Sequence, residues 1–364
     1  MTLLLPDRAG GDDAIARFAL RSVFTQTHSS PRSLSRRQPL MGGTATITLV
    51  GASADLLDAC FALADRCEAL WSRFLPSSDV SQLNSAEGRE TIVDPLTVTL
   101  IKAMRDGVAV TGGDFDPTLL PLLVQIGYAA SVVHPERVTT LPASAQAPGN
   151  LAGIRVGHAI EGQSVPVSLP VGTTIDPGGI GKGLTADLVC AFALAEGAWG
   201  VMAEIGGDIA VAGQAPSSDD PSSAWRLGVE DPFDATTHAA VVRLTAGALV
   251  TSSQRKRRFA SAAGVNHHLL DPRRAGSAAT DVQTVSVIAA TGARAEYLTK
   301  PGFLRPVQEY LAWLPSVGAA GFIIDNVGVR TASANWDLYA IPAAPATSTA
   351  PSAPAARSEP GHLS

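Results

Sequence analysis

Residues 176–188, DPGGIGKGLTADL, restrict the backbone more than any other segment of this sequence. Four glycines fall within six residues, and an apolar stretch with helical spacing follows them. Glycines let backbone N–H groups come close to a ligand, and the first turn of a helix carries a partial positive charge. The segment therefore predicts a tight turn into a helix that can hold an anion, with Lys182 as an added positive charge.

Two familiar phosphate-binding motifs do not match this segment. A P-loop needs a glycine five residues before its Gly-Lys pair and a Ser or Thr after the lysine, where this chain has Asp176 and Gly183. The glycine spacing also differs from that of a dinucleotide-binding fingerprint. A glycine-rich turn with a solvated lysine is the alternative interpretation, and it stays open at this point.

Hydrophobic periodicity elsewhere predicts a mixture of helices and strands. Helical spacing marks residues 53–74, 95–110 and 184–196. Alternation and β-branched runs mark strands at residues 44–50, 241–244, 248–252 and 284–289. The serine-rich residues 77–84 between the first two helices are expected to form a polar loop.

Composition excludes several classes of protein. Hydrophobic residues make up 46% of the chain, which suffices for a globular core. The 27 Lys and Arg against 33 Asp and Glu give a net charge of −6, so no nucleic-acid partner is expected. No apolar run reaches the roughly 18 residues of a membrane helix, so we expect no transmembrane segment and a cytoplasmic location. The segment SRRQPL weakly resembles a twin-arginine export signal, which leaves export open.

The three cysteines do not indicate a disulfide scaffold. Cys60 and Cys67 are seven residues apart in one predicted helix, about 10 Å along its axis, which is too far for a bond. Together with Cys190 they are expected to be small core residues.

The two ends of the chain differ from the middle. Residues 1–40 carry six arginines and no sustained apolar period, and they are expected to form a weakly structured, flexible N-terminal arm. Residues 341–364 hold five prolines and seven alanines, which cannot bury a core and are expected to be a disordered tail.

Three further groups of residues can carry chemistry. His267 and His268 are adjacent, so on a strand only one of them can face a given site, where it can accept a proton. Asp116 stands at a predicted turn, either as a cap or as a ligand. Glu296 and Lys300 are four residues apart, which also fits a plain ion pair on a helix surface.

The order of these segments resembles one known family. The series of motifs begins with MGGT at position 41 and continues with WSRFLPSSDVSQLN, FDPTLLPLL, DPGGIGKGLTADL, EIGGDI, LVTSS, HLLDPRRAG, QTVSVIA and ARAEYLTK. This series, from Met41 to about Trp336, is similar to that of the ApbE-type FAD:protein FMN transferases. Several specific motifs in the same order make chance a poor explanation.

The resemblance implies a single large α+β domain at residues 41–340, with mixed sheets and packed helices. It implies that this domain binds FAD and moves FMN onto a Ser or Thr hydroxyl of a target protein, with release of AMP. The implied catalytic residues are His268 and Lys182, and Lys182 also contacts FAD. The other implied FAD contacts are Met41, Asp116, Asp176, Gly178, Gly179 and Leu269.

The implied magnesium site departs from the family's common pattern. A backbone oxygen of Gly179 is expected to be one ligand, and the family's Asp and Thr positions hold Glu296 and Lys300 here. Glutamate can still bind a hard cation, but an ammonium has no acceptor for one. Besides an active transferase, the sequence therefore leaves open an FAD-binding protein without transferase activity, such as a flavin carrier or regulatory module, or an FAD pyrophosphatase.

Overall fold

A large antiparallel sheet runs through the centre of the molecule. The computed structural model describes residues 32–159, 164–216, 224–255, 258–261, 264–274 and 276–342. The strands are β1 (Ser33–Leu40), β2 (Gly43–Val50), β3 (Thr91–Val93), β4 (Arg155–Val156), β5 (Val165–Ser168), β6 (Gly200–Ile205), β7 (Asp208–Gly213), β8 (Trp225–Glu230), β9 (His238–Leu244), β10 (Ala246–Ser253), β11 (Arg258–Ser261), β12 (Gly264–His267), β13 (Leu270–Asp271), β14 (Gly276–Ser277), β15 (Val282–Ala289), β16 (Ala320–Asp325) and β17 (Arg330–Ala332). Eight of them form the main sheet in the order β1-β2-β6-β7-β10-β15-β16-β17, and every neighbouring pair is antiparallel.

Helices cover one face of this sheet. They are α1 (Ala54–Trp71), α2 (Asp79–Ser85), α3 (Pro95–Thr111), α4 (Leu120–Gln125), α5 (Gly181–Ala195), α6 (Gly292–Leu298) and α7 (Val307–Trp313). The apolar side of α1 is buried against the sheet. Cys60 and Cys67 of α1 and Cys190 of α5 are free, buried thiols, as expected. Smaller sheets, β3-β5-β4, β8-β9, β11-β12 and β13-β14, pack around the main one.

The β8–β9 hairpin covers the other face of the main sheet. Trp225 and Leu227 of the hairpin pack with Val211, Leu249 and Ile288 in a second core cluster. With both faces covered, all eight residues of the central strand β15 are buried. The result is one α+β domain, as the family resemblance implies.

The predicted N-terminal arm, residues 1–40, includes a strand of the main sheet. Its last eight residues are strand β1, which pairs with β2 over its whole length from Ser33–Val50 to Leu40–Gly43. Arg36 lies over the Phe61 ring, 4.3 Å from its centre, so this edge strand also packs on α1. The twin-arginine-like segment therefore lies within a strand of the sheet. Residues 1–31 of the arm lie outside the described residues.

Two other expectations need adjustment. The predicted loop at residues 77–84 contains helix α2, because Ser78 caps it by accepting a hydrogen bond from Ser81 N at 3.0 Å. At the other end, Ile341 N donates to Val241 O at 2.8 Å, so the predicted tail begins with an ordered contact. Residues 343–364 of that tail lie outside the described residues. Within the described ranges, no helix has the length and apolarity needed to cross a membrane.

Candidate active site

An open pocket of about 710 Å³ lies beside the glycine-rich turn. Its polar side chains are those of Asp114, Asp116, Asp176, His268 and Lys300. Its apolar walls include Phe115, Leu119, Leu120, Leu123, Leu269 and Phe303. A few convergent polar groups on apolar walls are typical of small-molecule sites.

The glycine-rich segment serves both the pocket and the packing of helices. A 3-10 turn at Pro177–Gly179 leads into α5, and Gly178 and Gly179 line the pocket. A Cβ on Gly179 would stand 3.1 Å from the Phe115 ring and 3.2 Å from Lys300 Cε, so a side chain there would crowd the pocket. Gly183 has another task, because a Cβ there would collide with the backbone of Gly292 where α5 crosses α6.

Asp176 is held in place by residues far away in sequence. The buried amide of Asn84 accepts from Ile175 N at 2.7 Å and donates to Ile175 O at 2.9 Å, which fixes the residue before Asp176. Asp176 N donates to Pro117 O at 2.8 Å. Its carboxylate lies 3.4 Å from the guanidinium of Arg73. The carboxylate is therefore presented to the pocket from a rigid frame.

The Arg73 guanidinium is buried and fully engaged. It stacks over the rings of Phe74 and Tyr128, at 4.2 and 4.7 Å from their centres. It also donates to Thr139 Oγ1 at 2.7 Å and to Tyr128 O at 2.9 Å. Such cation–π contacts are favourable for arginine when they are desolvated. Arg73 thus holds a fixed positive charge beside the Asp176 carboxylate.

Asp116 lies at the turn where the sequence predicts it. Its Oδ1 atom accepts from Thr118 N at 2.8 Å and from Thr118 Oγ1 at 2.6 Å, which is a side-chain-to-backbone turn. The residue also lines the pocket. The structure confirms the cap, and the contact of Asp116 with a ligand stays a prediction for a residue that lines the pocket.

The two adjacent histidines face different surroundings. His268 and its neighbour Leu269 line the pocket. His267 is only 8% exposed, and its Nε2 atom lies 3.2 Å from Ala278 O. The geometry therefore places His268 at the pocket and His267 in the core.

Lys182 is predicted to contact FAD, but it does not line the pocket. Its ammonium forms ion pairs with Asp208 and with Glu296 Oε1, the latter at 3.1 Å. Both carboxylates are nearly inaccessible, at 2% and 1% exposure. Burial raises the pKa of Asp208, and the Lys182 ammonium opposes that rise. Lys182 therefore forms ion pairs with two buried carboxylates next to the pocket.

Met41 also lies away from the pocket. It occupies the β1–β2 turn with a φ of 50°, and its N–H donates to Glu68 Oε1 at 2.9 Å. Its sulfur is 3.8 Å from the hydroxyl of Thr185, in the helix that begins at the glycine-rich turn. The pocket thus brings together seven of the predicted site residues, namely Asp116, Asp176, Gly178, Gly179, His268, Leu269 and Lys300, and leaves Met41, Lys182 and Glu296 outside it.

Glu296 and Lys300 do not form the surface ion pair that their spacing allows. Glu296 Oε2 accepts from Gly183 N at 2.8 Å, and its Oε1 pairs with Lys182. The Lys300 ammonium instead donates to the Ser252 and Thr299 hydroxyls, at 3.1 and 3.0 Å, and to the backbone oxygen of Glu296 at 3.1 Å. Glu296 lies in helix α6 as expected, whereas Lys300 follows the end of that helix at Leu298, and both residues face a buried charged cluster.

These contacts do not fit the magnesium site that the resemblance implies. Each carboxylate oxygen of Glu296 already accepts a hydrogen bond, and an ammonium stands at the second predicted ligand position. No group of three or more His, Cys, Asp or Glu side chains within the described ranges could hold a metal ion. Magnesium at Gly179, Glu296 and Lys300 therefore stays a prediction that this donor set does not support.

Sequence reasoning missed several residues that shape the site. Arg73 and Asn84 fall inside the quoted WSRFLPSSDVSQLN segment, and Asp208 inside EIGGDI, but nothing in their local pattern indicates a role. Asp114 precedes FDPTLLPLL and forms ion pairs with Arg273, at 3.5 Å, and with Arg305 at the rim of the pocket. Polar residues within the quoted motifs were the one signal that could have found them.

Comparison with known proteins shows which family this chain resembles. The model of the ApbE family matches residues 41–323. A protein of Treponema pallidum (strain Nichols) named FAD:protein FMN transferase is 26% identical over 288 residues, which cover 76% of this chain and 79% of that protein. A protein of Rhodobacter capsulatus with the same name is 30% identical over 227 residues, 61% of this chain and 41% of that longer protein.

Solved structures show the same fold. The ApbE protein of Thermotoga maritima superimposes with a TM-score of 0.71 at 25% identity, covering 85% of this chain and 99% of that one. The apo form of the flavinyl transferase ApbE of Pseudomonas stutzeri gives a TM-score of 0.66 at 24% identity, with 85% and 98% covered. With the family model spanning most of the sequence, this chain belongs to the ApbE family.

Proposed function

We propose that this chain is an FAD:protein FMN transferase that binds FAD in the pocket beside the glycine-rich turn. The observation that carries the proposal is the family match over residues 41–323, which spans the elements that build this pocket. The apolar walls suit planar rings, and the backbone of the turn and the Lys300 ammonium suit phosphate oxygens.

The reaction we propose is the transfer of the FMN group of FAD to a hydroxyl, which forms a phosphodiester. The hydroxyl oxygen of a Ser or Thr on a target protein attacks the FMN-side phosphorus of FAD. A new oxygen–phosphorus bond forms there, and the bond from that phosphorus to the bridging oxygen breaks, so AMP leaves with the bridging oxygen. His268 lines the pocket and accepts the hydroxyl proton. Asp116 and Asp176 orient the bound nucleotide.

Charge on the phosphate oxygens must be offset during the attack. The chain supplies a fixed ammonium at Lys300 and the backbone N–H groups of the turn for this purpose. Lys182 forms ion pairs with the buried carboxylates of Asp208 and Glu296 next to the pocket. We interpret its predicted catalytic role as this electrostatic support of the site. No step of this reaction is assigned to a magnesium ion.

The experiment that tests the proposal measures both products. The purified protein is incubated with FAD and with candidate acceptor proteins encoded by neighbouring genes, and AMP is followed by chromatography. Covalent flavin on the acceptor is followed by in-gel fluorescence and by the mass of the labelled peptide. We expect equal amounts of AMP and bound FMN, lost when the acceptor Ser or Thr is replaced by Ala.

Two other results would contradict the proposal. AMP with free FMN and no labelled acceptor would indicate an FAD pyrophosphatase. FAD binding without AMP would indicate a flavin carrier or regulatory module. Binding alone gives a separate check, because contacts to both halves of FAD predict tighter binding of FAD than of FMN. Equal affinities in a titration would argue against this assignment of the pocket.

A further inference from the structure

Four charged side chains form a compact cluster at the inner side of the pocket. They are two lysines, Lys182 and Lys300, and two carboxylates, Asp208 and Glu296. Lys182 binds both carboxylates, and Lys300 donates to the backbone oxygen of Glu296. The formal charges of the cluster cancel. The cluster therefore has no excess negative charge to attract a divalent cation.

The Lys300 ammonium is the member of this cluster that reaches the pocket. Three oxygens fix its position, those of the Ser252 and Thr299 hydroxyls and the Glu296 carbonyl, all at 3.0–3.1 Å. Its Cε atom lies 3.2 Å from where a Cβ on Gly179 would stand. The side chain thus lies against the turn that we assign to the phosphates.

A divalent cation at the same place would face strong repulsion. Two like charges a few ångströms apart repel each other strongly in a partly buried site, and a divalent ion is repelled more than a monovalent one. Glu296 is the one carboxylate at the predicted ligand positions, and both of its oxygens already bind donors. An ammonium on a fixed side chain can offset phosphate charge without any metal ligand.

We infer that the Lys300 ammonium takes the place of a divalent cation at the FAD pyrophosphate, so that this chain binds and cleaves FAD without a metal. The inference rests on the proposed function for the cleavage step, but its binding step can be tested alone. Lys300 then acts by its charge, because its fixed ammonium lies beside the phosphates and offsets their negative charge during the attack.

The first experiment measures ligand affinity by calorimetry, with FAD and with riboflavin, in excess EDTA and in millimolar MgCl₂. For the wild-type protein we expect the FAD affinity to agree within about twofold between the two conditions. Lys300→Met should weaken FAD binding by about tenfold, which corresponds to about 1.4 kcal/mol. Riboflavin has no phosphate, so its affinity should change by less than about twofold, which also shows that the variant is folded.

Two variants sharpen this test. Lys102→Met removes an ammonium from an exposed position of α3 and should leave every affinity unchanged. The double variant Glu296→Asp with Lys300→Thr carries the family's common residues at both positions. Its FAD affinity should rise by about tenfold or more when MgCl₂ replaces EDTA. A wild-type protein whose FAD binding collapses in EDTA, or a Lys300→Met variant that binds FAD normally, would overturn the inference.

A second experiment separates this inference from the proposed function. AMP formation and acceptor labelling are measured for the wild-type protein in EDTA and in MgCl₂. Equal rates in both conditions support the inference, and labelling that needs MgCl₂ contradicts it. If neither condition gives AMP, the transferase proposal fails, while the affinity measurements still decide what Lys300 does.

Discussion

Replacement of Asn84 by Ala should destabilise the protein and disturb the site together. The side chain is 4% exposed and makes two hydrogen bonds to the backbone of Ile175, which is itself fully buried. Each such bond contributes about 1 kcal/mol net, and each buried backbone group left without a partner costs about 1–3 kcal/mol. We therefore expect Asn84→Ala to lower the free energy of unfolding by about 3 kcal/mol.

The effect should extend to the ligand because Asp176 directly follows Ile175. Free movement of this segment should weaken FAD binding by about tenfold, which corresponds to about 1.4 kcal/mol. Urea unfolding gives the stability, and calorimetric titration with FAD gives the affinity. Gln82→Ala is the matched control, since Gln82 lies on the same short helix and makes only an exposed hydrogen bond, to Ser77 O at 3.0 Å.

Asn84→Asp refines the comparison. The carboxylate can still accept from Ile175 N but cannot donate to Ile175 O, so we expect a stability loss close to that of the alanine variant. The reasoning is refuted if Asn84→Ala loses less than about 1 kcal/mol, or if it loses no more than Gln82→Ala.

Three further predictions follow from the same structure. His268→Ala should slow FMN transfer by about 100-fold or more with little change in FAD affinity, whereas His267→Ala should mainly lower the melting temperature. Transfer kinetics and calorimetry measure both variants, and a larger loss of transfer rate in His267→Ala would contradict the assignment. Lys182→Met should lower the free energy of unfolding, measured in urea at pH 8, by about 3–5 kcal/mol, because it leaves buried carboxylates without their cation. The loss should be smaller at pH 5, because burial raises the pKa of Asp208 and favours its neutral form. An equal loss at both pH values would be inconsistent with this. Burial raises the pKa of the Asp187 carboxyl to about 6, from 3.8 in the unfolded chain, so its contribution to stability is present below pH 4 and is lost as the pH rises through 6. The difference in unfolding free energy between wild type and Asp187→Ala should therefore shrink over that range, by up to about 3 kcal/mol. A difference that stays constant with pH would count against this reasoning.

The sequence alone predicted those features that a short window of residues determines. The stripe of apolar residues in α1 and the glycine-rich turn into α5 both depend on neighbours a few residues away. The alternation of the two histidines also follows from local geometry, since consecutive side chains on a strand point to opposite faces. The order of the sequence motifs along the chain was specific enough to indicate the ApbE family.

Only the tertiary structure decided which of these residues meet. Asn84 and Ile175 are 91 residues apart, and Lys182 and Glu296 are 114 apart, so no local pattern encodes their contacts. The strand β1 escaped prediction because its stability comes from pairing with β2 and packing on α1 rather than from its own apolar content. The spacing of Glu296 and Lys300 fitted a surface ion pair equally well, and only the burial of Glu296 beside Lys182 separates the two residues. A buried carboxylate pairs with whichever cation the fold brings within reach, because leaving it unpaired in a site of low dielectric costs more free energy than any local preference supplies.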